Sequence, residues 1–263
     1  MALTGPRLSD ERRRQLAEGY GAGGSHYERV RPGYPADAVD WLFTGCQVHG
    51  SAVRAVADVG AGTGKYTRVL AEAGFRVTAV DPSADMLEQL RHALPQVPVH
   101  QGTAEHTGLP AGSFDAVTVA QAWHWCDPLA ASTEFARILR PDGLLGLVWN
   151  QLDVSVPWVH RFARISHAGD VLRPGFRPQV GPEFVLQAHS TVSWSQPLRA
   201  DELPALAQSR SWYRTAGESG RRRMHANLDW YLYEHLGHRP DTVLELPYLT
   251  LSWRARRQSG AVT

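Results

Sequence analysis

Strand-like and helix-like stretches alternate strictly from about residue 52 to residue 146, and few folds accommodate that order. Ala52–Val59 (AVRAVADV) is β-rich and runs into glycines, and Lys65–Ala73 (KYTRVLAEA) spaces its apolar residues as a helix does before stopping at Gly74. Phe75–Val80 is the next β-rich run. Ser83–Leu94 follows as a helix, opened by a capping-type serine and ended by Pro95. Val97–His100 and Phe114–Val119 read as strands, Leu129–Leu139 as a helix broken at Pro141-Asp142-Gly143, and Leu144–Trp149 as a further strand. This order implies right-handed βαβ units, hence a doubly wound, mostly parallel α/β sheet covered on both faces.

The flanks are less regular. Residues 1–45 read as mostly helical with a Gly-rich break at Gly19–Gly24. Beyond Asn150 come a helical stretch, a Pro/Gly-rich loop at Arg173–Pro182, a strand near Val185–Ser195, helical material over Asp201–Leu236, and a last strand over Thr242–Trp253. The two late strands are expected to add an antiparallel edge, and the helices between them a cap. The expected layout is a helical lid or cap segment (1–45), a ligand-binding core (46–150), and the remainder of the same domain (151–263).

Composition narrows the partners. The formal net charge of +1 argues against nucleic acid, because phosphate-tracking proteins concentrate positive charge. Cys46 and Cys126 are the only cysteines, in no metal-like spacing, and suit free thiols in a reducing compartment. No apolar run reaches the length of a membrane span, and the polar first residues do not read as a signal peptide. The expectation is a soluble, cytoplasmic protein with no nucleic-acid or membrane partner. The twelve histidines form no H-E-x-x-H or comparable set, so no catalytic metal is expected. Nothing in the sequence sets the oligomeric state.

The segment Asp58-Val-Gly-Ala-Gly-Thr-Gly-Lys65 directly follows the first strand. Gly60, Gly62 and Gly64 let the backbone turn tightly and approach a ligand where a Cβ would collide. A phosphate-binding P-loop would need glycine where Val59 stands and Ser or Thr where Tyr66 stands. A nicotinamide fingerprint would need glycine at Lys65, or at Thr67 if counted from Gly62. Both readings fail on spacing. What remains, acid-x-G-x-G-x-G, resembles the first motif of class I S-adenosylmethionine-dependent methyltransferases. Asp81, about 20 residues on at the end of the second strand, stands where dinucleotide folds place the acid that binds both ribose hydroxyls. Its bland alternative is an N-cap for the helix after Pro82.

Further residues extend the resemblance. Gln101-Gly-Thr-Ala-Glu105, Leu109-Pro110, Phe114-Asp115 and the Arg140-Pro-Asp-Gly143 turn are similar to the type 11 methyltransferase family within that class. His26-Tyr-Glu-Arg-Val-Arg-Pro-Gly-Tyr-Pro35 is similar to a segment of its trans-aconitate methyltransferase-like subset. The resemblance implies a Rossmann-like fold and S-adenosylmethionine as cofactor, leaving S-adenosylhomocysteine as product. It assigns the cofactor to Asp58, Gly60, Ala61, Gly62, Thr63, Gly64, Asp81, Pro82, Met86, Ala104, Glu105 and Gln121. Asp58 would face the ammonium end and Met86, Ala104 and Glu105 the adenine. Tyr27 and Arg31 would fold over the methionine end as a lid.

Ala120-Gln-Ala-Trp-His-Trp125, after the fourth strand, marks the expected acceptor side. His124 is the candidate general base or orienting group, weighed against a histidine that only closes the pocket. Arg210 could neutralise an acidic substrate, against the commoner reading of an exposed helical arginine. Arg221–Arg223 reads as a solvated helix start. The expected activity is methylation of a small molecule, on a carboxylate or hydroxyl oxygen. Alternatives are methylation of carbon or nitrogen, and a catalytically silent cofactor-binding regulatory partner.

Overall fold

A computed structural model describes residues 30–48, 50–167, 172–173 and 175–258. Among them the main sheet has seven strands: β1 Ala55–Val59, β2 Arg76–Asp81, β3 Val99–Gln101, β4 Phe114–Ala120, β5 Leu139–Leu152, β6 Phe184–Arg199 and β7 Val243–Arg257. Their order across the sheet is β3-β2-β1-β4-β5-β7-β6. The helices are α1 Ala36–Phe43, α2 Lys65–Glu72, α3 Ala84–Ala93, α4 Pro128–Ile138, α5 Pro157–Ile165, α6 Leu203–Gln208, α7 Ser211–Thr215 and α8 Glu218–Asp229, the last continuing as a π-helical turn through Trp230–His235.

The central strands are buried on both faces, as parallel sheets require. All five residues of β1 are buried, and alternate residues feed two cores. Val56, Ala116 and Val148 pack with α1, α2 and α3 through Leu42, Leu70 and Leu90. Ala57, Val117 and Leu147 pack on the other face against Phe135 and Ile138 of α4. A third core of Leu152, Phe162, Leu206, Leu228 and Tyr248 joins the helices after β5 and β6 to the far end of the sheet. Gly146 lets α1 lie close on β5, since a Cβ there would come within 2.1 Å of Leu42 Cδ2.

The antiparallel element expected from the late strands is present, one place in from the edge. β7 runs against both β5 and β6, so β6, the outer strand, is parallel to the centre. The long helical excursion between β6 and β7 allows the chain to return and insert between strands already laid down.

Two boundaries differ from expectation. Ser51–Ala52 belong to a small antiparallel ribbon with Gln47–Val48, so β1 begins only at Ala55. β5 begins at Leu139, because the Pro141–Gly143 turn is absorbed as an irregularity: Phe114 pairs with Leu139 and Ala116 with Leu144, while Asp142 takes φ 58°. The helical material expected over Asp201–Leu236 is present as several short pieces. The expected lid falls largely on residues 1–29, outside the described residues. Its described part holds α1, starting at Ala36 after an extended Pro35, as stiff Tyr-Pro predicts.

Asp115 explains part of the turn motif. Its carboxylate accepts from the Arg54 and Ala55 amides at 2.9 and 2.8 Å and pairs with Arg140. These donors hold its pKa below the usual carboxylate range against the opposing effect of burial. The start of β1 is thereby tied to β4 and β5.

Candidate functional site

β1 ends in a loop whose glycines divide into two roles. Gly60, Gly62 and Gly64 all have positive φ (72°, 55° and 90°). A Cβ at Gly60 would stand 2.5 Å from Ala122 Cβ, and one at Gly64 would stand 2.8 Å from Leu90 Cγ, so these two serve packing. A Cβ at Gly62 would meet nothing within 4 Å. Gly62 therefore presents bare backbone to open space. The Gly60 and Ala61 amides both donate to Val80 O, which holds the loop against β2. Thr63 is half-buried at the turn into α2.

Two buried carboxylates lie beneath this loop. Asp58 is fully buried, and its two oxygens accept from the hydroxyls of Thr67 (2.6 Å) and Thr118 (3.1 Å). Burial pushes its pKa up to about 7, opposed by the two hydroxyls and reinforced by the charge of Asp81. Asp81 accepts from the Gly62 amide at 2.8 Å and the Ser83 amide at 2.9 Å. Burial raises its pKa as well, against those two hydrogen bonds. The N-cap of α3 is Ser83, whose hydroxyl accepts from the Met86 amide, so Asp81 is not that cap. Each Asp81 oxygen carries one backbone hydrogen bond and keeps a second lone pair for a hydroxyl. Two neighbouring carboxylates with raised pKa values favour a cationic ligand, which would restore both to the ionised form.

Other expected residues surround the loop with varied roles. The Pro82 carbonyl accepts from Gln101, Met86 is buried on α3, and Ala104 is buried in the sheet's core. Glu105 accepts from the Asp127 amide at 2.8 Å, where α4 begins. Gln121 follows β4 in a left-handed conformation, φ 56°, with its side-chain amide donating to Asn150 O. Tyr27 lies outside the described residues.

A small cleft, partly open to solvent, lies at the carboxyl ends of β4 and β5. Arg31, Gln121, Asn150, Gln151, Arg210 and Tyr248 are among its lining residues. Gln121 is the chain neighbour of Ala122, which touches Gly60, so cleft and glycine loop adjoin. Arg31 donates to Ser209 O, placing it at this cleft. The bland reading of Arg210 is corrected: it is half-buried at the N-cap of α7 and lines the cleft. His124 is exposed, its ring against Trp125, and is not among the cleft's lining residues. Trp123 is the inward member of that turn, donating to Gln179 O and packing against Phe135.

Sequence reading missed Thr67, Thr118, Asn150 and Tyr248. Asn150 is a hub: its amide donates to Gly33 O, its side-chain oxygen accepts from Thr250, and its main-chain oxygen accepts from Gln121. Trp194 completes the chain by donating to Thr250. The available signal was a polar Asn150 closing an apolar strand at its carboxyl end, where α/β sheets place ligands.

Among the described residues no group of His, Cys, Asp or Glu is arranged to hold a metal ion, and no helix is long and apolar enough to cross a membrane. Comparison with known proteins agrees with this architecture. Residues 57–147 match the family model described as a methyltransferase domain. An uncharacterized methyltransferase of Mycobacterium tuberculosis is 41% identical over 244 residues, covering 92% of this chain and 97% of that protein. A malonyl-[acyl-carrier protein] O-methyltransferase of Salmonella typhimurium is 32% identical over 143 residues, covering 52% of this chain and 54% of that protein. Among solved structures, a protein of Anaeromyxobacter dehalogenans assigned as a type II methyltransferase aligns with TM-score 0.61 and 26% identity, covering 86% of this chain and 97% of that one.

Proposed function

This chain belongs to the type 11 family of class I S-adenosylmethionine-dependent methyltransferases, and we propose that it methylates an oxygen of a small organic acceptor, a carboxylate in preference to a hydroxyl. The observation that carries the choice of acceptor is the cleft itself. Its described lining residues include Arg31, Arg210 and Tyr248 but no histidine, aspartate or glutamate that could take a proton. A hydroxyl acceptor needs a base in the transition state, whereas a carboxylate is already ionised at neutral pH. The Salmonella relative, by its name an O-methyltransferase of a malonyl group, is consistent with this preference.

The residues around the glycine loop fit S-adenosylmethionine. Bare backbone at Gly62 admits close approach, the Asp81 lone pairs suit the ribose hydroxyls, and Asp58 suits the ammonium end. Bound there, the cofactor supplies a methyl group on a positively charged sulfur, open to in-line displacement. The chain's task is then alignment and exclusion of water. Asn150 secures that alignment by pinning Gly33 and the strained Gln121 at the meeting of loop and cleft. His124, exposed and outside the cleft lining, is assigned no proton transfer.

Radiolabelled methyl transfer to a panel of small carboxylic acids, with matched alcohols and amines, tests the reading. Base-labile methyl esters formed from acids are the expected product. Transfer confined to alcohols or amines would overturn the carboxylate preference, and absence of S-adenosylhomocysteine binding would overturn the cofactor reading.

A further inference from the structure

Resting on the cofactor reading, we infer that Trp194 of β6 and Thr250 of β7 are positioning residues for the cofactor site. Acting through Asn150, they hold the segment Val30–Tyr34 against the Asp58 end of the glycine loop. Thr250 pairs with Asn150 on one side and Val192 on the other, so its side chain shares a face with Asn150 and, diagonally, with Trp194. The Trp194 indole donates to the Thr250 hydroxyl at 2.8 Å, that hydroxyl donates to Asn150 Oδ1 at 2.5 Å, and Asn150 Nδ2 donates to Gly33 O at 2.6 Å. The direction of this chain is set at its far end. An indole N–H can only donate, so the one Thr250 proton is left for Asn150, whose oxygen turns toward Thr250 and whose NH2 turns toward Gly33. With that order reversed, two oxygens would face each other at Gly33. Thr250 is fully buried and Asn150 nearly so. Valine has the same shape and suits a strand equally, so burial at this position does not itself call for a hydroxyl.

What the chain holds explains its place. Val30 O accepts from Gln196 of β6 at 3.3 Å and Arg31 donates to Ser209 O, so the Asn150 bond to Gly33 O is the anchor next to Tyr34. Tyr34 packs edge-on against Tyr66, with ring centres 4.8 Å apart, on the core that joins β1, α1 and α2. The charge of Asp58 raises the pKa of both phenols, which places the pair beside that carboxylate. The groups facing Asp58 are Thr67 and Tyr66 from α2, Thr118 from β4, Asp81 from β2, and Tyr34. Of these, Tyr34 alone stands on no helix or strand, so its position depends on the anchors of its segment. The chain from Trp194 therefore fixes the one wall around Asp58 that secondary structure does not.

Calorimetry with S-adenosylhomocysteine, on each protein well below its unfolding transition, tests the role without turnover. Thr250→Val should weaken binding by about 3- to 10-fold, within the range for one lost hydrogen bond. Thr250→Ser keeps the hydroxyl and should bind as wild type does. Trp194→Phe keeps an aromatic ring on Tyr248 but removes the donor. It should weaken binding less, and add nothing when combined with Thr250→Val, because both break the same chain. Phe162→Leu, a packing change in the third core, should lose stability and leave affinity unchanged. Tyr34→Ala and Thr250→Val should both let water reach Asp58, so the rise of affinity with pH should end below the value of about 7 that burial sets. The role is refuted if Thr250→Val binds like wild type, if Thr250→Ser binds no better than Thr250→Val, or if Trp194→Phe adds a further loss of its own. It is equally refuted if Phe162→Leu weakens binding as much as Thr250→Val, or if Tyr34→Ala and Thr250→Val keep the wild-type pH profile. A wild type that does not bind S-adenosylhomocysteine would instead overturn the cofactor reading.

Discussion

Replacing Asp58 by asparagine tests the electrostatics beneath the glycine loop. In an unfolded chain this carboxyl titrates near 3.8, whereas in the fold burial lifts it to about 7. Between those values the folded protein holds a proton that the unfolded chain has released. Stability contributed by the neutral form is therefore present at low pH, declines as pH rises through this window, and levels off above about 7. Each pH unit spent in the window is worth about 1.4 kcal/mol, so the loss from pH 5.5 to 7 amounts to about 2 kcal/mol. For a chain of this size that corresponds to a fall in Tm of roughly 4–8 °C. Asparagine is nearly isosteric and carries no charge, and the Thr67 and Thr118 hydroxyls can each rotate to meet it. Asp58→Asn should match wild type at pH 5.5 and exceed it at pH 8. Asp115 and Glu134, whose pKa values are lowered, lose their contributions only in more acidic solution and cancel in the comparison. The assay is urea unfolding of both proteins from pH 5.5 to 8, paired with S-adenosylhomocysteine titrations. A cationic ammonium beside Asp58 favours its ionised form, so wild-type affinity should rise with pH up to about 7 and that of the variant should stay flat. Parallel stability profiles for the two proteins would refute the burial argument, and a flat wild-type affinity would refute the ammonium contact.

Three further outcomes are expected. Gly62→Ala should stay folded with a strain cost of about 1–2 kcal/mol from its positive φ and lose S-adenosylhomocysteine binding in calorimetry. Gly60→Ala, which collides with Ala122, should instead lose its cooperative unfolding transition at ordinary temperatures. Asp81→Asn should weaken S-adenosylhomocysteine by about 1.5–3 kcal/mol, the range for a hydrogen bond to a charged group; an unchanged Kd would remove Asp81 from the site. His124→Ala should keep turnover within a few-fold of wild type and a similar pH profile once an acceptor is in hand, whereas a loss of about 10²-fold or more would restore it as a general base.

Legibility in the sequence followed how local each feature is. The glycine loop and Asp81 could be read because one loop and the end of the next strand build that region, and their spacing survives in the linear chain. Strand and helix alternation was readable for the same reason, since periodicity reports each element's own two faces. Where one polar group answers another across the sheet, the linear pattern is silent. Thr118 reaches Asp58 because β1 and β4 pair in one register, and no local signal carries that register. Arg210 reads as an ordinary helical arginine until the cap folds it over the end of β5. Tyr248 looks like one more apolar-face residue until β7 inserts between β5 and β6 and brings it to the wall of a cleft. The sequence alone determined the fold class, the glycine loop and the family. Tertiary structure decided which groups line the cleft, because burial and charge there arise from segments brought together only by the closed sheet and its cap.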